Sequence, residues 1–385
     1  MIICNGYNMK NHEKRDIERR LIIDIIKKNS PEISLEIDLK RLQKFSVEQG
    51  VSGHLFLYLK QKNLHSFEYS MVQKSYAVNV ALNMKHLEKL ERLEEVLEKE
   101  KFEIMTLKGA SLLDRVYVNI GLRPMADIDI MVHSSDRDKF KKILGLLEYT
   151  MDERRPHIFS NEQTTIDLHV HALNTDRIRS RNRLFPAGMA PVWQNSRPLK
   201  NGFRWIRRPD DRDNVLLLFM HMMKHSFDRL SWWVDLVMLL EGYDEESWLR
   251  LRERARYLKV ERAMKYMTYM LEMIFGAAQL SEAGFEGMKE SLNPLEKRLL
   301  RETAEGNSGH EMGVLLGLLC INGLFEKIMF ARESLFPGRE IIEEEFGKSC
   351  GERRVLFYGH RLLQALFLLS KKFLQSSGPG KHDQL

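Results

Sequence analysis

Two aspartates separated by one residue open the run Asp127-Ile128-Asp129-Ile130-Met131-Val132. Side chains on a strand alternate faces with a period of two, so both carboxylates project from one side while Ile128, Ile130 and Val132 bury on the other. Carboxylates held that close repel each other unless a divalent cation lies between them or one takes a proton. The run from Thr164 to Ala172 repeats the device: Ile166, Leu168 and Val170 face one way, Asp167, His169 and His171 the other. Should the two runs be neighbouring strands, Asp127, Asp129 and Asp167 meet. Three such groups can hold two Mg²⁺ (or Mn²⁺) ions roughly 3.5–4 Å apart, against the attacking and leaving oxygens of an in-line phosphoryl displacement.

Other residues supply phosphate chemistry. Lys108-Gly109-Ala110-Ser111 follows a β-prone run, Phe102 to Leu107, and helical spacing resumes from Ala110 to Tyr117. A strand-to-helix turn of this kind offers unpaired N–H groups and the positive end of a helix dipole to phosphate. The Gly-x4-Gly-Lys-Ser/Thr spacing of a Walker loop is absent. Arg123, four residues before Asp127, is placed to reach a triphosphate oxygen.

The histidines admit several readings. His169 and His171 can serve as acid-base groups, phosphate donors or metal ligands, or form a polar layer that orients Asp167. His221 and His225 share one side of a helix at a spacing that suits zinc, but Met222 stands where the His-Glu-x-x-His motif places Glu. A zinc hydrolase using His169, His171, His221, His225 and Asp235 is one alternative. Polar positions facing a nucleotide cleft, or satisfied core histidines, are the others. Trp232 and Trp233, among Leu and Val, read as core rather than as a base-stacking shelf. Arg177, Arg179, Arg181 and Arg183 form a basic loop, either solvated or turned to an acidic acceptor; no interleaved aromatics mark a nucleic-acid track.

The elements that must position these groups follow from periodicity. From Asp16 to about Glu100 the pattern is helical, with Leu82, Leu87, Leu90, Leu93 and Leu97 in one stripe and Glu88, Glu91, Glu94 and Glu95 on an opposite, solvated face. Strands are predicted at Phe102 to Leu107, Asp127 to Val132, Tyr149 to Glu153, His157 to Ser160, Thr164 to Ala172 and Phe203 to Ile206. That makes a mixed sheet of about four to six strands. From Asp210 the chain is helical almost to its end. The expected class is α+β: a small mixed-sheet core at 101–209 between an N-terminal helical region (1–100) and a large C-terminal one (210–375), with a polar flexible tail at 376–385.

Bulk composition narrows the classes. In 385 residues, 43% are hydrophobic and 30% charged, as in ordinary globular proteins, and 23 Gly with 10 Pro exclude collagen-like and disordered classes. Net charge +6 is mild and fits an anionic ligand without demanding one. Three scattered cysteines form neither a disulfide framework nor a CxxC zinc site, which points to a reducing, cytoplasmic setting. The apolar stretches are too short or too interrupted to span a bilayer, so none is predicted to cross one.

Leu107-Lys108-Gly109-Ala110-Ser111, then Tyr117, then Gly121-Leu122-Arg123-Pro124-Met125-Ala126-Asp127-Ile128-Asp129, then Ile166-Asp167-Leu168-His169, resembles the polymerase-β-type nucleotidyltransferase superfamily, closest to a branch of uncharacterised bacterial members. The motif-bearing resemblance covers roughly residues 80 to 175. It implies a Mg²⁺-dependent nucleotidyltransferase whose partners are a nucleoside triphosphate and an acceptor: a small molecule, a sugar phosphate, RNA or a protein side chain. Asp127, Asp129 and Asp167 would be the catalytic and metal-holding residues, and Lys108, Gly109, Ser111, Arg123 and His169 would bind nucleotide. The superfamily places Gly-Ser close before the Asp pair; here Ala110 follows Gly109, and an inserted segment with Gly121 and Arg123 intervenes. A module on the same fold that binds nucleotide or a partner without turnover is the alternative from another class.

Overall fold

The computed structural model describes residues 9–346 apart from 30, 32–36, 64–66, 114, 277–291, 307–308 and 310, and beyond these 354–359 and 362–363. The expected tail at 376–385 lies outside the described residues, as do Cys4, Cys350 and most of the apolar stretch that begins at Val355.

Among the described residues four helices precede the sheet: α1 (Met9–Ile26), α2 (Leu39–Glu48), α3 (Ser52–Gln61) and α4 (Phe67–Glu100). Asp38 caps α2, its carboxylate accepting from the N–H groups of Lys40 and Arg41. The leucine stripe of α4 buries Leu90, Leu93 and Leu97 in the common core, while Leu82 stays exposed. The opposite face is not merely solvated. Glu91 pairs with Lys200 at 2.6 Å, and the Glu94 carboxylate accepts from the backbone N–H groups of Arg204, Trp205 and Ile206 at 2.5, 2.9 and 2.7 Å.

Among the described residues the sheet has seven strands: β1 (Ile104–Thr106), β2 (Ile128–Met131), β3 (Thr150–Met151), β4 (Ile158–Ser160), β5 (Thr165–His169), β6 (Arg197–Pro198) and β7 (Ile206–Arg208). Their spatial order is β3-β4-β5-β2-β1-β7-β6. The pairs β2–β5 and β1–β7 are parallel and the rest antiparallel, so the sheet is mixed. It exceeds the expected four to six strands through β6, a two-residue strand created by pairing with β7 and too short to carry its own pattern. Short helices α5 (Arg137–Leu146) and α6 (Ala190–Gln194) lie in the connections.

One expected element is replaced. The helical spacing from Ala110 to Tyr117 forms a 3₁₀ turn, Lys108–Ser111, followed by irregular chain in which Leu113 and Tyr117 form a bridge. The turn closes because the Ser111 hydroxyl donates to the Lys108 carbonyl at 2.7 Å. The chain then leaves helical geometry to carry the buried Tyr117 hydroxyl to Asp235.

The C-terminal region supplies α7 (Asp211–Lys224), α8 (Leu230–Leu240), α9 (Glu245–Tyr257), α10 (Glu261–Phe275), α11 (Pro294–Ala304), α12 (Met312–Cys320), α13 (Leu324–Leu335) and α14 (Arg339–Phe346). Buried side chains from the N-terminal helices, the sheet and these helices form one contiguous core. The basic loop is held rather than solvated. Arg183 pairs with Glu326, Arg177 with Glu344, and the N–H groups of Arg179 and Ser180 donate to Glu333 at 3.1 and 2.5 Å. Among the described residues no helix is long and apolar enough to cross a membrane.

Candidate active site

Strand β2 alternates Ile128 and Ile130 with Asp129 and Met131, and all four side chains are buried, so Asp129 carries its charge inside the protein. Parallel pairing with β5 sets Asp129 opposite Asp167 and Met131 opposite His169. The neighbouring-strand arrangement expected from the two period-two runs is therefore present. Its register brings both carboxylates onto one imidazole: His169 Nε2 lies 2.8 Å from Asp129 Oδ1 and 3.1 Å from Asp167 Oδ2. Lys108 Nζ donates to Asp129 Oδ1 from the other side. Asp129 and His169 are buried.

Charge and burial compete here. Burial alone would raise the Asp129 carboxyl, but Lys108 and the His169 hydrogen bond hold it below the ordinary range. The Asp167 carboxyl behaves likewise, with burial outweighed chiefly by His169 and held well below the carboxylate range. In return, both aspartates raise His169 and Lys108 against the opposing effect of burial. Asp127, just ahead of β2 and half-buried, is pushed up to about 6 by burial and then by the Asp129 charge. It stands electrostatically within the cluster but outside its tightest group.

That group is Asp129, Asp167 and His169, each offering a ligand atom within 4.8 Å of the others. Asp167 Oδ1 is sealed from solvent and has no hydrogen-bond partner among the described residues. A buried carboxylate oxygen left without a donor is costly. An orphaned hard oxygen beside a second carboxylate suits a divalent cation.

The remaining expected site residues are placed less simply. Gly109 lies directly over Arg123: a Cβ there would fall 2.8 Å from Arg123 Nη1 and 2.9 Å from Met125 Sδ. Arg123 itself is buried and bonds Asp235, Nε at 3.2 Å from both oxygens and Nη2 at 2.8 Å from Oδ2. Ser111 is buried and exchanges a hydrogen bond with Asn214 at 3.1–3.3 Å. Both are engaged by partners outside the Asp129–Asp167–His169 group, Arg123 by Asp235 and Ser111 by Asn214. His171 falls beyond the end of β5, so it does not continue the Asp167 face. Its Nδ1 accepts from the Leu173 N–H at 3.1 Å, and its ring meets Phe185 edge-on.

The four histidines of the zinc alternative do not converge. Among the described residues, His221 and His225 belong to no group of three metal-ligating side chains. Their rings lie 4.6 Å apart and pack on Trp232, whose centroid is 5.0 Å from His221 and 5.7 Å from His225. They sit where α7 approaches the site. Lys224 completes that helix end; burial and then the neighbouring Arg181 and Lys108 charges push its amine well below the usual range. Its amine meets Asn174 Oδ1 at 3.5 Å.

Sequence reasoning missed Asn214, Lys224 and the partnership of Tyr117 with Asp235. Asn214 and Lys224 belong to α7, and only their spacing from His221 hinted at a shared face. The pairing of Tyr117 with Asp235 spans 118 positions and left no local signal.

The protein-family model described as "Uncharacterised nucleotidyltransferase" matches residues 36–276 of the chain. No curated protein and no solved structure matches it.

Proposed function

The chain belongs to this uncharacterised nucleotidyltransferase family, and from that premise we propose that it transfers a nucleotidyl group from a nucleoside triphosphate to an acceptor, with Mg²⁺ or Mn²⁺ as cofactor. The observation that carries this reading is the register of β2 on β5, which sets Asp129 against Asp167, one of whose carboxylate oxygens is buried with no hydrogen-bond partner among the described residues. In the reaction an acceptor oxygen bonds the α-phosphorus, the α–β anhydride bond breaks, pyrophosphate leaves and the acceptor's proton passes to solvent.

Asp129 and Asp167 would hold a divalent cation, with His169 beside them and Asp127 as a third carboxylate at the rim. A cation bound there supplies Lewis-acid stabilisation of the charge that develops on the transferring phosphoryl group. His169, hydrogen-bonded to Asp129 and ion-paired with Asp167, orients them. Lys108 supplies a positive charge that would meet the phosphates; Gly109, Ser111 and Arg123 shape the turn that carries it. The acceptor is a small molecule, a sugar phosphate, RNA or a protein side chain.

Incubation with labelled ATP, CTP, GTP and UTP plus Mg²⁺ and a cell extract tests the proposal. One labelled product and matching pyrophosphate release, both lost in Asp129→Asn, are expected. A second reading, binding without turnover, is favoured by one feature: Lys108 and His169 already neutralise the carboxylates. Triphosphate binding with no pyrophosphate released under any of the four nucleotides would select it. No triphosphate binding at all would remove both.

A further inference from the structure

We propose that Asp235, on α8, is a positioning residue: acting through Arg123, it holds the Lys108-Gly109 turn in the conformation that aims Lys108 at Asp129. Its consequence for triphosphate binding rests on the function proposed above; the positional claim stands on the structure alone.

Asp235 is fully buried and lies 112 positions from its partner. Its two oxygens receive Arg123 Nε and Nη2, and Oδ1 also receives the Tyr117 hydroxyl. Arg123 Nη1 donates to the Pro124 carbonyl at 2.9 Å, so the guanidinium is fixed along both edges. It forms the floor under Gly109, where a Cβ would come within 2.8 Å of Nη1 and 3.1 Å of Cζ. Above that floor Lys108 has φ +51°, a left-handed backbone that non-glycine residues keep only when their surroundings impose it. The Ser111–Asn214 exchange fixes the far end of the same turn from α7. The turn that carries Lys108 is thus set by two C-terminal helices.

Stability alone is a poor reason for such a pair. A buried Arg–carboxylate pair gains little over apolar side chains of similar volume, because desolvation offsets most of the attraction. What apolar residues would not supply is a flat, rigid, two-edged anchor beneath a strained turn.

The test measures backbone amide exchange in residues 108–113 and titrates ATP·Mg²⁺, with GTP, CTP and UTP in parallel. Asp235→Asn should speed exchange in the turn about tenfold or more while β2 and β5 keep the parent's protection. It should weaken triphosphate binding about tenfold, and add less than about twofold once Lys108→Ala is present, the non-additivity of residues acting in series. The triple variant Tyr117→Phe/Arg123→Met/Asp235→Leu removes both charges together with the hydroxyl that Asp235 accepts from, and guards against a misfolded single variant: it should melt near the parent yet show the same loose turn. Unchanged exchange at 108–113 in the folded variants overturns the inference, as does acceleration spread equally over β2, β5 and α8. A parent that binds none of the four nucleotides, with the exchange result intact, sinks the function and leaves the positioning role standing.

Discussion

Lys108 and Asp129 form the contact on which the site turns, and substitutions there separate two kinds of binding. The lysine amine occupies the carboxylate that would hold a cation. Lys108→Ala should therefore tighten Mn²⁺ binding, since a competing positive charge is gone, while weakening triphosphate binding. Paired Mn²⁺ and nucleotide titrations would check this; losses in both would mean that Lys108 shapes the site without competing in it. Asp167→Asn should behave otherwise. Its carboxylate acts where charge develops, so turnover should fall about 10²-fold or more with nucleotide affinity kept within a few-fold. Pyrophosphate release measured beside nucleotide affinity tests that split, and unchanged turnover would remove Asp167 from the chemistry.

Element packing explains how an inserted segment can sit between the turn and the aspartates. Helix α4 grips it: Asn83 Nδ2 donates to the Ile120 and Arg123 carbonyls at 2.7 Å each, and the Tyr76 hydroxyl donates to Asn119. Gly121 is required because a Cβ there would meet the Tyr76 ring at 2.4 Å. At its other end α4 holds the start of β7 through Glu94. Removing that carboxylate leaves three backbone donors without their acceptor. Glu94→Ala should cost about 1–3 kcal/mol, the range for losing charge-assisted bonds at a partly solvated site. Urea unfolding would measure it, and an unchanged midpoint would mean water replaces the carboxylate fully. Period-two patterning located β2 and β5 to within a residue or two at most ends, because apolar and polar residues alternate cleanly along each. It could not locate β6, whose two exposed residues exist as a strand only through β7.

Across the whole molecule, buried histidines tie stability to pH. His54, His157 and His171 are each lowered to about 4, mainly by burial. The unfolded chain, with histidines near pKa 6.5, binds protons more readily than the folded protein between these values. The contribution of these three rings should thus be full above about pH 6.5 and be lost as the pH drops toward 4, outweighing the opposite contribution of Asp127, whose carboxyl is raised to about 6. Melting temperatures from pH 7.5 to 4.5 test this; a flat profile would show that these rings protonate without cost in the fold. The same long-range organisation joins the basic loop to Glu326, Glu333 and Glu344 of α13 and α14. A mild net charge of +6 gave no sign of that internal complementarity.

What the sequence determined by itself was local. Alternation placed Asp129, Asp167 and His169 on polar faces of strands, and the return of helical spacing after Asp210 marked the C-terminal helices. Strand register follows from which face is buried, so the meeting of Asp129 with Asp167 was legible once two strands were assumed to be neighbours. Tertiary structure decided the rest. It placed Arg123 under Gly109 and onto Asp235, ended β5 before His171, turned an expected helix into a 3₁₀ turn and packed His221 edge-on and His225 at a tilt against Trp232. The reason is physical. A period reports only which side of an element is buried, whereas the partner of a buried charge is chosen by whichever distant helix the fold brings to it, as α8 brings Asp235 to Arg123.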